Sequence, residues 1–409
     1  MILEKLAGAS LWTHILFISA LVFVIGDILA TLFTIFYQKY WYERILRPKF
    51  GNSYNPRCSI VVPCKGIPKD LGNNLAGFLE LDYNDYEVVF VVESEEDAAV
   101  EVIKSIIKGK NNAKHVIAGL ASTCAQKNHN LLAAIKNVSE SEVYVFADSD
   151  IRPDGHWLRE LILPLADKKI TVTSGFRWLH ATVCNTGELT HAYVNVFMYI
   201  LFSVACFIGG VGLWGGSMAI RKRDFDDLRV AEKWSKTVVD DMSLSQIVMK
   251  QSRKAVVVPP CISHTDDLLQ TVKGTVTWFE RQIMFLKSYQ KSIWFFVALP
   301  AALLVLFLLF LLPAAAIASI SANHTFFGLG GGAALVFYIG ELLTVCLYPL
   351  LGSMPRFHKF LVLQPVMRLM QIWSYLRTFG TNTITWAGIK YHMKFSGEVG
   401  KVERPGIDI

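Results

Sequence analysis

Hydrophobic positions along the chain fall into two patterns. Three long apolar stretches, residues 11–36 with Asp27 as the one charge, 293–320 with none and 326–351 with Glu341 alone, are each long enough to cross a bilayer as a helix. Between the first two, short apolar runs alternate with helical spacing. "CSIVVPCKG" (58–66), "YEVVFVVES" (86–94), "KHVIAG" (114–119) and "EVYVFADSD" (142–150) predict strands, whereas 71–81, 98–109 and 129–138 predict helices. Strand, helix, strand units of this length predict an α/β fold, a mostly parallel sheet flanked by helices, with its ligands beyond the carboxyl ends of the strands. Those ends carry Lys65 and Gly66, Glu93 through Asp97, and Asp148 with Asp150.

Two further apolar stretches need placing. Residues 192–220 hold no charge until Arg221, yet a single crossing there would put Asp148 and the later "VVDDMSLS" (238–245) on opposite sides of the membrane. An interfacial segment in the cytosolic leaflet, ending in a loop with Gly209, Gly210, Gly212, Gly215 and Gly216, keeps the acids together. Residues 360–379 carry Arg368, Gln371 and Arg377 at helical spacing and predict an interfacial helix. Lys39, Arg44, Arg47 and Lys49 lie after the first span and only Lys5 lies before it, a bias that places residues 39–290 in the cytosol. The resulting organisation is a transmembrane helix (1–38), a cytosolic domain (39–290) with an interfacial segment near 192–220, two transmembrane helices (291–352), and an interfacial helix with a basic cytosolic tail (353–409).

Composition narrows the function. The 409 residues are 53% apolar and 18% charged, with a net charge of +6 and no basic block, which points to a membrane surface and away from nucleic acid. Seven cysteines without metal-type pairs indicate a reduced compartment. Three spans without a repeat leave little room for a transport pathway, and a passive membrane scaffold would not need the acids.

The acids suggest chemistry. Asp148 and Asp150 form an Asp-x-Asp at a strand end, suited to a divalent cation bridging a diphosphate, with Lys65 and Lys127 available to face phosphates. Asp240 and Asp241 fall in the first turn of a helix, where one suits capping and the other a general base of raised proton affinity.

Residues 65–102, "QKNHNLL" (126–132), "FADSDIRPD" (146–154), "GGVGLWGGSMAIRKRDF" (209–225), "VDDMSLSQIV" (239–248) and "TITWAGIKY" (383–391) together resemble the ceramide glucosyltransferase family and its bacterial relatives, membrane-bound inverting glycosyltransferases. The resemblance implies a glycosyltransferase A-type fold that binds a nucleotide sugar, and a hexosyltransferase moving a sugar from a UDP-sugar donor, UDP-glucose first, to a membrane lipid hydroxyl, ceramide first. Hopanoid or diacylglycerol acceptors with UDP-GlcNAc or UDP-galactose are the alternative. It implies Lys65, Gly66, Glu93 and Asp97 around the nucleoside, Asp148 and Asp150 on Mn2+ or Mg2+, Lys127 as charge compensation and Asp241 as the base. It also implies an integral membrane protein with its catalytic domain facing the cytosol, in the inner membrane of a bacterium or the Golgi or ER of a eukaryote. The family's last motif, Gln or Arg, two variable residues, Arg and Trp, becomes "GTVTW" (274–278), so only Trp278 survives, and Lys273 or Arg281 is expected to replace the lost diphosphate and acceptor contacts from adjacent helix positions. Ala387 stands where the family commonly has Arg, and His264 is a candidate third metal ligand or a loop histidine without a role.

Overall fold

The computed structural model describes residues 11–51, 53–208, 212–265, 268–295 and 324–405. Nearly all of the apolar stretch 293–320, together with Gly209 and Gly210, lies outside the described residues. In chain order the elements used below are α1 (Leu11–Phe36), β1 (Cys58–Pro63), α2 (Leu71–Gly77), β2 (Tyr86–Val92), α3 (Ala99–Ile107), β3 (Ala113–Ile117), α4 (Gln126–Ile135), β4 (Val143–Ala147), α5 (Trp157–Ile162), β5 (Ile170–Leu179), α6 (Thr186–Phe207), β6 (Ser217–Arg221), α7 (Lys222–Asp227), α8 (Val230–Trp234), α9 (Asp240–Lys250), β7 (Lys254–Thr265), α10 (Val272–Tyr289), α11 (His324–Leu347), α12 (His358–Arg377), β8 (Thr383–Trp386), β9 (Ile389–Met393) and β10 (Val399–Glu403).

Seven strands form one sheet in the order β3-β2-β1-β4-β6-β5-β7. The four strands expected from the sequence are parallel; the near-continuous apolar composition of β1, β2 and β4 reflects burial on both faces, whereas β3 lies at the sheet edge and is only partly buried. β6 runs antiparallel to both β4 and β5. That reversal matters for the site: where β4 leaves the sheet at Ala147, paired with Ser217, β6 begins. The Asp148 N–H donates to the Gly216 carbonyl at 3.2 Å, so the glycine-rich approach to β6 lies directly against the acidic exit of β4.

The helix that includes Phe17–Phe50 and the helix α6 are both long and apolar enough to cross a bilayer, although two-thirds of α6 is buried within the protein, against α1, β5, β7, α10 and α12. The Tyr37 hydroxyl donates to the Val257 carbonyl at 2.7 Å and ties the first helix to β7. On α12, Arg377 is exposed as a water-facing interfacial helix requires, but Arg368 and Gln364 face the opposite way. Arg368 is buried, paired with Glu341 of α11 and, at 3.2 Å, with Asp27 of α1, while Gln364 donates to Glu341 at 2.7 Å. Val362 (77% exposed), Leu369 (54%) and Trp373 (57%) face outward instead. A charge in apolar surroundings persists only when paired, and this cluster joins all three helices. Arg368→Leu, which strands two buried carboxylates, is expected to cost about 3–5 kcal/mol, read as a lower unfolding midpoint in detergent, with most of the loss recovered on adding Asp27→Asn and Glu341→Gln.

The tail beyond α12 folds as an antiparallel sheet, β10-β9-β8. Its β8–β9 turn places Ala387 (φ 48°) and Gly388 (φ 79°) in the left-handed region, as a two-residue hairpin of this twist requires. The Tyr289 hydroxyl at the end of α10 donates to Gly397 at 2.6 Å and accepts the Val238 N–H at 3.0 Å, pinning this sheet beside the start of α9.

Candidate active site

The exit of β4, residues of β5 and the first turn of α9 converge on a cavity of about 340 Å³. Asn128, buried in α4, donates to the carbonyls of Trp234 (3.3 Å) and Thr237 (3.0 Å), holding the start of α4 against the approach to α9. Lys127 is thereby brought within 2.8 Å of Asp148 and 3.1 Å of Asp240. Burial alone would lower the lysine's proton affinity, but Asp148, Asp240 and Asp241 hold the ammonium well above its ordinary value. Asp240 is thus an ion-pair partner of Lys127 and caps nothing.

Asp241 lines the same cavity. Its Oδ2 accepts the Gly215 N–H at 2.8 Å and its Oδ1 the Met242 N–H at 2.5 Å. Burial, reinforced by Asp240, pushes its carboxyl up to about 7, against the lowering effect of Lys127 and those two N–H groups. Gly215 makes the approach possible, because a Cβ there would lie 2.4 Å from Asp240 Oδ2 and 3.0 Å from Lys127 Nζ. Gly215→Ala is expected to lower turnover at least about tenfold by displacing this pair, with little change in thermal midpoint; parallel activity and melting measurements check this.

Asp148 and Asp150 face the cavity from the loop after β4. Two carboxylates are hard oxygen donors, and a magnesium-type cation is commonly held by one or two of these together with substrate phosphates, so the pair fits a metal shared with a diphosphate. No set of three or more His, Cys, Asp or Glu side chains suited to a metal occurs among the described residues. His264 occupies an exposed position of β7, a strand and not a loop, and does not line the cavity, which removes it as a third ligand.

Trp278 and Arg281 both line the cavity, whereas Lys273 is exposed on α10 and does not. The Arg281 guanidinium lies 5.5 Å from the centroid of Trp386, which reaches in from β8, and burial followed by Arg177 lowers its proton affinity to about 10. Arg177 on β5 is a site residue that the sequence patterns do not single out. It pairs with Asp150 at 3.0 Å and lies 5.9 Å from the ring centroids of both Trp214 and Trp278. One linear signal points to it, a charged residue inside the apolar run "ITVTSGFRWL".

Lys65, Gly66, Glu93 and Asp97 cluster at the ends of β1 and β2 and are not among the residues that line the cavity. Lys65 pairs with Glu93 at 2.8 Å, and Asp97 Oδ1 accepts the N–H groups of Gly66 (2.8 Å) and Ala99 (2.9 Å). Gly66 has φ 63°, which suits glycine in this tight turn. Arg404, also unforeseen, reaches from beyond β10 to Glu93 at 3.5 Å and to Gln126, the neighbour of Lys127, and so couples this cluster to the acidic one.

Comparison with known proteins agrees with this architecture. The mannosyltransferase PcManGT from Pyrobaculum calidifontis, solved in complex with GDP-Man and Mn2+, superposes with a TM-score of 0.50 at 16% identity, over 90% of this chain and 97% of that one, which shows a shared glycosyltransferase A-type fold. Ceramide glucosyltransferase 1 of Caenorhabditis elegans is 27% identical over 263 residues, 62% of this chain and 53% of that protein. Ceramide glucosyltransferase 3 of the same organism is 29% identical over 145 residues, 33% and 31% respectively, so the chain spans about half the length of the first relative and less of the second. Residues 24–399 match the glycosyl transferase family 21 as a whole, and the chain belongs to that family.

Proposed function

We propose that the protein is an inverting hexosyltransferase that moves a hexose from a UDP-sugar, UDP-glucose foremost, to the hydroxyl of a membrane lipid, ceramide foremost. The observation that carries this reading is one cavity holding a carboxylate of raised proton affinity, Asp241, together with Asp148, Asp150 and Lys127. Asp148 and Asp150 would hold Mg2+ or Mn2+, which when bound offsets the charge that builds on the departing UDP. Lys65, Gly66, Glu93 and Asp97 take the nucleoside, and Lys127, Arg177 and Arg281 bring positive charge to the diphosphate. Asp241 accepts the proton of the lipid hydroxyl as its oxygen attacks the anomeric carbon from the face opposite UDP, which inverts that centre.

The first helix is proposed to cross the bilayer with the sheet domain in the cytosol, and α6 to lie at the membrane surface, a reading supported by its burial among α1, α10 and α12. The departure at "GTVTW" favours a second reading, in which a hopanoid or diacylglycerol is the acceptor, with UDP-GlcNAc or UDP-galactose as donor. Detergent-purified protein incubated with each UDP-hexose and each lipid, with products weighed by mass spectrometry, separates the two. A glucosylated ceramide is the expected product; transfer to no lipid under any donor overturns the reading.

A further inference from the structure

One wall of the cavity is not used by the chemistry above. His191 of α6 is buried, and its Nδ1 accepts the Leu269 N–H at 3.2 Å. A ring nitrogen that accepts a hydrogen bond carries no proton, so the neutral imidazole bears its single N–H on Nε2. Nε2 is itself buried, with no hydrogen-bond partner among the described residues, in a side chain that lines the cavity. Buried donors are almost always satisfied in native proteins, and one left over inside a substrate cavity calls for a ligand atom. The ring is also held from a second side, its centroid 4.6 Å from that of Trp278 in an edge-on arrangement. His191 and Trp278, which lies 5.9 Å from the Arg177 guanidinium, stand where the charged groups of the cavity meet its apolar helices. α6 and α10, which carry His191 and Trp278, pack on α12, the helix whose apolar face is exposed, and Leu268, Leu269 and Phe285 line the cavity with them. Lys127 on α4 and Asp148 after the central strand β4 come from the sheet domain instead.

We propose that His191 donates a hydrogen bond through Nε2–H to an oxygen of the acceptor lipid that neighbours the attacking hydroxyl, and so selects lipids that carry such an oxygen over simple long-chain alcohols. This rests on the glycosyltransferase reading above. The ligand class is a lipid with a primary hydroxyl and a second hydroxyl or carbonyl oxygen a few bonds away; the imidazole, fixed as a donor, reads an oxygen acceptor at that point.

The test compares a short-chain ceramide with hexadecan-1-ol as acceptors for the full-length protein with UDP-glucose. The readout is the ratio of their kcat/KM values for wild type, His191→Phe and His191→Gln. Wild type is expected to favour the ceramide, and His191→Phe to shrink that preference by about tenfold to a hundredfold, mainly through a higher KM for ceramide. His191→Gln, which keeps an N–H donor, is expected to recover part of the preference. A preference that survives in His191→Phe, or equal loss in the Phe and Gln variants, overturns the inference while the glycosyltransferase reading stands. Wild-type protein that glycosylates neither acceptor nor any other lipid overturns both.

Discussion

Asp241→Asn is expected to lower the rate of sugar transfer by about 10²- to 10⁴-fold while leaving UDP-sugar binding in place. The asparagine is nearly isosteric and its carbonyl can still accept the Gly215 N–H that now reaches Asp241 Oδ2 at 2.8 Å. What it cannot do is take a proton. Equilibrium binding of UDP-glucose, measured beside single-turnover transfer, separates the two effects. Undiminished transfer removes Asp241 as the base, and lost binding makes it a donor-site residue instead.

The second large effect is expected at Asp148, on the other side of Lys127 and the Gly215–Gly216 backbone. Asp148→Ala should weaken metal-dependent UDP-glucose binding by about two orders of magnitude or more, since even outer-shell losses at metal sites cost 10- to 100-fold. It also leaves Lys127 with Asp240 as its near partner, so any residual binding should respond little to added Mn2+ or Mg2+. A titration in which the variant keeps the wild-type response to Mn2+ dismisses Asp148 as a ligand.

Local patterns are enough to find both of these residues. Asp148 and Asp150 end a fully buried strand, and Asp240 and Asp241 start a helix, and each of these is a feature of a few neighbouring residues. Even the choice between Lys273 and Arg281 lies within reach of helical geometry, because Arg281 comes three residues after Trp278 and shares its face, whereas Lys273 precedes it by five and turns away. The groups that escape such patterns are those whose role arises only from distant packing. Arg177 sits on a strand placed beside the cavity by the antiparallel insertion of β6, and His191 is oriented by Leu269, 78 residues away. Trp386 and Arg404 arrive from a C-terminal sheet whose sequence reads as a basic tail. α12 departs from expectation for a different reason. Polar residues at helical spacing suggest a stripe that seeks water, but Arg368 satisfies itself inward on Glu341 and Asp27 and leaves the apolar face outside.

The pH dependence of single-turnover transfer, with donor and lipid saturating, tests the central claim most directly. Asp241 must be ionised to accept a proton, and its carboxyl stands near 7 in place of the ordinary 3.8, so protonation removes the base as the pH falls through that region. The wild-type rate should therefore drop about tenfold per pH unit below about 7 and level off above it, and the residual rate of Asp241→Asn should show no such limb. A limb that persists unchanged in Asp241→Asn, or a wild-type rate that stays flat down to pH 5, contradicts the assignment.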